Sequence, residues 1–305
     1  MGIEHRAEVS LPSTMALAVR AAVGFAAGVV LLQINAHGSA QSRGFVSHGE
    51  ATLWITLIGI QTAFWAVVAS YAWQMARHYL PRSREDFKRI AASVAVIFVL
   101  LVGVPFAALL AEGPVNPLWG AVWKVLLITV AGFFLVGLPS LLGILGTQAF
   151  AVRNLGATIE ESDIEGFIEL RDDLNRFLAL LGATIGLAVL STGALRNAVL
   201  VFKPTTKLPA EAVLEYGGFL TVLVVFAYAP AYYALIRLGL KIRDALLPKR
   251  PPPQESAFSD WYSTRKNLTD LLQLDVGAYQ RLQTSVLILA PLLSAALSLA
   301  IPKTP

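Results

Sequence analysis

Apolar residues gather in seven blocks along the chain: Met15 to Ile34, Ala51 to Ala76, Ile90 to Leu110, Leu118 to Gly146, Phe177 to Phe202, Leu214 to Gly239 and Leu282 to Ile301. Each is about 20 residues or longer, enough to cross a hydrocarbon core about 30 Å thick at 1.5 Å rise per residue. The charged residues fall mainly in the connections between blocks. This pattern predicts an all-α, polytopic transmembrane helical protein of about seven spans. It divides into a four-span N-terminal part over 1–150, a cytoplasmic helical extension continuous with span five over 151–202, span six over 203–247, and a last part over 248–305. That last part holds a Pro-rich linker, an amphipathic cytoplasmic helix and span seven.

Composition sharpens the class. Hydrophobic residues make up 56% of the 305, charged residues only 14%, and the mean hydropathy is +0.63. A soluble domain carries about 25% charged residues, so the soluble globular class is excluded. With no cysteine, disulfides, iron-sulfur ligation, thiol nucleophiles and thiolate zinc sites are excluded as well. The net charge of +4 reads as topology rather than nucleic-acid affinity once the basic residues are placed. Arg77, Arg82, Arg84, Lys88 and Arg89 lie between spans two and three, with no Lys or Arg between three and four. Lys241, Arg243, Lys249, Arg250, Arg265, Lys266 and Arg281 lie between six and seven, against only Lys203 and Lys207 between five and six. Positive charge favours the cytoplasmic side, so the N-terminus is expected inside and the C-terminus outside, in a bacterial inner membrane. Gly38-Ser39-Ala40 and Arg6 allow span one to be a cleaved signal sequence, whereas Arg20, which interrupts its apolar run, favours a retained helix.

Two connections have helical patterns of their own. Thr158-Ile-Glu-Glu and Ser162-Asp-Ile-Glu read as overlapping capping boxes. From Asp163 onward, apolar residues recur at three and four positions into span five, which predicts one helix of about 40 residues, roughly 60 Å long. After Pro248-Lys-Arg-Pro-Pro-Pro253, residues Phe258, Trp261, Tyr262, Leu268, Leu271 and Leu272 sit at helical spacings beside Arg265 and Lys266, as in a helix lying on anionic lipid at the inner leaflet.

Candidate chemistry is scarce. His5, His37, His48 and His78 fall in loops or at a span end, leaving Ser140 and Ser191 without a base. No pair of membrane-depth aspartates, no H-E-x-x-H helix and no lysine in span seven is present, so an enzyme or retinal protein is not expected, and no cofactor. Pro105, Pro139, Pro230 and Pro291 interrupt four spans, and Val102-Gly-Val-Pro105 resembles Val136-Gly-Leu-Pro139 in a span of opposite direction. Broken helices of that kind can line a transporter's midplane site, although proline kinks are also common without a substrate.

The long helix offers a second candidate. Glu165, Glu169, Asp172, Asp173 and Arg176 share an arc of about 100°, and Thr184 and Ser191 continue the stripe into the membrane. Around a symmetry axis this stripe would line a conduit with acids at its mouth and Arg196 near its outer end; on a lone helix the acids form a solvated face and the hydroxyls bond back to their own turn. Gly182 and Gly186, with Ala179 and Ala183, form a close-packing face for another span or another subunit. Arg82, Arg84, Lys88 and Arg89 are candidates for binding a cytoplasmic polyanion, with lipid contact as the alternative. Trp65, in mid-span, reads as packing.

Span six opens on Glu215-Tyr-Gly-Gly-Phe and ends in Tyr228-Ala-Pro230. With Leu271-Leu-Gln-Leu-Asp275 and Ala290-Pro-Leu-Leu-Ser294, the C-terminal third resembles bacterial membrane proteins encoded beside nucleotidyltransferases, and in general plan the channel effectors of Hailong-type anti-phage systems. That resemblance implies a homo-oligomeric ion channel, such as a tetramer, held shut by a short oligonucleotide signal from the nucleotidyltransferase and opened on infection.

Overall fold

The computed structural model describes residues 13–36, 38–80, 83–103, 121–156, 158–160, 163–203, 209–247, 255–274 and 278–300. Among them there is no strand. The helices are α1 (Thr14–Gln33), α2 (Ala40–Val46), α3 (Gly49–Arg77), α4 (Arg84–Phe98), α5 (Ala121–Gly132), α6 (Leu138–Asn154), α7 (Asp163–Phe202), α8 (Ala210–Leu246), α9 (Glu255–Leu271) and α10 (Ala278–Ala300). Two π-helical turns extend them: Val99–Gly103 continues α4, and Phe133–Gly137 joins α5 to α6.

Five helices are long and apolar enough to cross a membrane: Thr14–Gln33, Gly49–Arg77, Trp123–Asn154, Asp163–Phe202 and Ala210–Leu246. The seventh apolar block falls in α10, Ala278–Ala300, of which Thr284–Ala300 is apolar among the described residues. The third contributes α4 and its π turn, and its remainder lies outside the described residues, as do Arg82, Ser162 and the Pro-rich linker.

Helix starts follow local chemistry. The hydroxyls of Ser13, Ser39 and Ser83 accept from Ala16 N, Ser42 N and Asp86 N at 3.3, 3.0 and 3.1 Å, satisfying amides that have no partner within the first turn. Glu85 and Asp86 then place negative charge at the positive end of α4.

The centre of the bundle is α7. It packs against α3, α6, α8 and α10, and 56% of its most apolar window is buried, the highest share of the five. Small residues allow this crowding. A Cβ at Gly182 would stand 2.7 Å from Leu287 O, one at Gly186 3.0 Å from Ser294 Oγ, and one at Gly193 2.1 Å from Ser298 Oγ. The partner of the glycine face is therefore α10 of the same chain. By contrast α1 sits at the periphery: Gly24 and Gly28 seat it on Thr62 and Ala66 of α3, while Val19, Val23 and Val30 remain exposed.

The two π turns share a place in the sequence. Each occupies the positions from six to two residues ahead of a proline: Val99–Gly103 before Pro105, and Phe133–Gly137 before Pro139. Proline has no N–H, and in a helix its ring presses on the carbonyl four residues earlier; at Pro139 the wider turn makes room for that carbonyl. Ser140 then donates to Val136 O at 2.7 Å, so a carbonyl inside the widened turn is satisfied away from water. Pro230 and Pro291, within α8 and α10, are passed without a π turn.

Candidate functional site

Beside the two π turns the bundle holds a part-open pocket of about 50 Å³. Phe98, the last residue of α4, packs on Phe133, the first of the second π turn, with ring centroids 4.7 Å apart. Ile97 and Leu101 form one wall; Gly132, Phe133 and Gly137 form the next. The central helix supplies Leu181, Thr184 and Ala188, and α8 supplies Tyr216 and Leu223. Gln61 and Trp65, one turn apart on α3, complete the lining. Among the described residues no Asp, Glu, Lys or Arg lines it, while the Tyr216 phenol does.

Several groups in this enclosure are polar and buried. Gln61 is 3% exposed and Trp65 2%. Ser191 donates to Gln61 Oε1 at 3.0 Å and lies 2.8 Å from Leu187 O. Thr184 and Thr129 donate to Leu180 O and Val125 O at 2.8 and 2.9 Å. For the indole Nε1 of Trp65 there is no acceptor among the described residues. Its ring fits only because position 132 is glycine, where a Cβ would stand 2.3 Å from the indole.

The polar stripe anticipated along α7 divides in the structure. Glu165 and Asp172 are exposed and Glu169 half-buried, whereas Asp173, Thr184 and Ser191 are buried among the helices of the same chain. Thr184 and Ser191 thus face the interior of the bundle, and both hydroxyls reach back to their own helix. Asp173 accepts from Tyr79 Oη at 2.7 Å and from Arg176 at 3.5 Å. Arg196 donates to Pro209 O at 3.2 Å and Asn197 Oδ1 at 3.3 Å, which ties the end of α7 to the start of α8. Compared with known proteins, the chain matches no family model, no curated protein and no solved structure.

Among the candidate polyanion residues, Arg84, Lys88 and Arg89 are exposed on α4, beside exposed Phe87 and the acids Glu85 and Asp86. Asp86 pairs with Arg153 at 3.7 Å. The amphipathic helix α9 is anchored at its far end: Arg265 reaches Asp244 Oδ1 at 2.6 Å and stacks over Trp261, Arg171 donates to Leu272 O at 3.1 Å, and Leu272 is buried. Phe258 and Tyr262 stay exposed.

Gln61 escaped the sequence reading, which followed charges and hydroxyls. A lone carboxamide in the middle of an apolar span was the available signal, since such a group must find a partner inside the protein.

Proposed function

We propose that this chain is a multi-pass membrane transport protein that carries solute through the interior of its own helix bundle. The reading adds α4 with its π turn, and the helix Thr284–Ala300, to the five long spans. It places the N-terminus in the cytoplasm and the C-terminus outside, in a bacterial inner membrane. One observation carries it: a part-open pocket within the bundle lined by Leu101 of one π turn and by Phe133 and Gly137 of the other, each turn set at the same distance ahead of a proline, in two spans that the charge pattern orients oppositely. Interrupted helices from repeated elements, meeting at a midplane cavity, are how many secondary transporters build a site, and π turns cluster at functional positions.

The test is flux. Protein reconstituted in liposomes is expected to take up small solutes saturably, with competition between them. Ala188→Val, which takes up part of the pocket, is expected to lower that uptake several-fold while the variant keeps its thermal melting. Unitary ion currents without saturable uptake would overturn the carrier reading.

The exposure of Glu165 and Asp172 favours a second reading. Acids left on the outer face of α7's first turns are positioned to form a charged mouth between copies of the chain. This is the homo-oligomeric channel implied by the resemblance to anti-phage effectors, with its pore between subunits rather than at Thr184 and Ser191.

A further inference from the structure

We infer that the seam between α1 and α3 holds the phosphate of an anionic phospholipid, with Arg20 and Arg77 as its charged contacts. The site stands apart from the pocket and does not depend on what the bundle carries.

The seam has a fixed register. A Cβ at Gly28 would stand 3.2 Å from Ile58 O, and one at Gly24 would stand 2.6 Å from Thr62 O and 2.7 Å from Ala66 Cβ. Arg20 then donates to Ser70 Oγ at 2.9 Å. Each step of four residues back along α1 meets a step of four forward along α3, so the two helices pack antiparallel. Continuing the register brings Ala16 to the level of Gln74 and Ser13 to that of Arg77. Past Gly24 the glycine contact gives way to Arg20, which is exposed, as are Ser70, Gln74 and Arg77. At 100° per residue those three residues of α3 share an arc of about 60°, and so form one edge of the seam.

Depth follows from the same contacts. Arg20 stands six residues after the start of α1, and Ser70 seven before the end of α3. Each is therefore about 10 Å from its helix end, on the side that the charge pattern places in the cytoplasm. The bond to Ser70 holds the guanidinium at that level instead of letting it extend fully toward water.

Arg20 is a permanent cation with five N–H donors. Among the described residues its one partner is the neutral Ser70 hydroxyl. A cation exposed at this depth without a counter-charge is costly. A phosphodiester supplies the charge together with paired acceptors that match the planar guanidinium. Arg77 adds a second cation nearer the surface, and Gln74 between them offers an amide to headgroup hydroxyls. Two cations favour a headgroup with net negative charge over a zwitterionic one, whose amine would add a third positive group. Val19 and Val23 flank Arg20 and are exposed, so acyl chains gain an apolar contact that a free phosphate lacks.

Phosphatidylglycerol is the probe, with phosphatidylcholine of the same chains as the comparison. Full-length protein in detergent micelles is given both in equal amounts, and the lipid that stays bound is counted by native mass spectrometry. Phosphatidylglycerol is expected to be retained in preference. Arg20→Gln, whose carboxamide can still reach Ser70, is expected to weaken that retention about tenfold or more, the worth of one charge-assisted hydrogen bond. Arg77→Gln is expected to weaken it less, because water screens the outer guanidinium. Melting without lipid checks the fold; if Arg20→Gln melts lower, Arg77→Gln decides by the same measurement. Equal retention of the two lipids, or undiminished retention in the variants, would overturn the site. So would loss of the lipid in Arg84→Gln with Lys88→Gln, which would place it on α4. Displacement by the deacylated headgroup, glycerophosphoglycerol, at equal concentration would overturn a lipid as the ligand. A rise in retention in Glu4→Gln with Glu8→Gln would assign the counter-charge to those acids and overturn the site as well.

Discussion

Tyr79 donates its phenolic proton to Asp173 Oδ2 at 2.7 Å, joining the C-terminal end of α3 to the first third of α7, with both residues under 10% exposed. The ring stands edge-on to Phe177, and its backbone passes so close to α6 that a Cβ at Gly146 would be 2.5 Å from Tyr79 O. One residue therefore pins three helices. Arg176, itself more than half exposed, pairs with Asp173 at 3.5 Å, and the tyrosine hydroxyl makes a shorter bond to the same carboxylate. Tyr79→Phe is expected to cost about 2 kcal/mol, the range for hydrogen bonds to charged groups. Asp173→Asn keeps an acceptor without the charge and is expected to cost about half as much. Thermal melting in one detergent checks the order; an Asn variant less stable than the Phe variant would contradict it.

The glycine face of α7 gives a paired expectation. Gly182→Val places carbon against Leu287 O of α10 and is expected to destabilise the protein by about 1–3 kcal/mol, as overpacking does. Gly218→Ala, where nothing lies within 4 Å of the added Cβ, is expected to be neutral or slightly stabilising, because alanine favours helix. Melting temperatures of the two variants decide it.

Topology is tested with reporters. Fusions after Arg84 are expected to read cytoplasmic and those after Gly113 external, as the distribution of Lys and Arg requires. The reverse pattern would invert every loop and the orientation of α4 and α5 with them.

The acids outside the bundle separate the two functional readings. For the channel, changing Glu165 and Glu169 to Gln and Asp172 to Asn is expected to lower cation conductance at low salt and to matter little near 1 M, where screening falls to about 3 Å. For the carrier, the same triple variant leaves saturable uptake intact.

The basic cluster has a sharp test as well. If a polyanion governs the protein, short oligonucleotides are expected to bind the solubilised chain with an affinity that falls steeply with salt, and Arg82→Ala with Arg84→Ala is expected to reduce it. Dependence on anionic lipid content with no response to oligonucleotide would assign Arg84, Lys88 and Arg89 to headgroup contact.

Apolar blocks and helical periodicity are local properties, so the all-helical class and the run from Asp163 into span five are readable from the chain. Depth and direction are not. A helical wheel fixes Thr184 and Ser191 relative to their own axis, but which neighbour they face depends on how α3 and α8 close around it. The likeness of Val102-Gly-Val-Pro105 and Val136-Gly-Leu-Pro139 is visible as text, whereas the π turns ahead of both prolines, and the cavity they bound, emerge only when the helices pack. The span count is less legible still, because among the described residues the third block contributes only Ile90 to Gly103, in α4 and its π turn, short of the length that crosses a bilayer, with the rest of the block outside them.

The nearest atoms facing Gly182, Gly186 and Gly193 belong to α10, the C-terminal-most described helix. Synthesis proceeds from the N-terminus, so α7 enters the membrane with its narrowest face bare and keeps it bare until α8 and α9 have been made. During that interval lipid must stand where α10 will sit. A chain truncated before α10 would thus be apolar enough to insert yet would have an open groove along its central helix, and its recognition as unfinished by membrane quality control would need no signal beyond that groove.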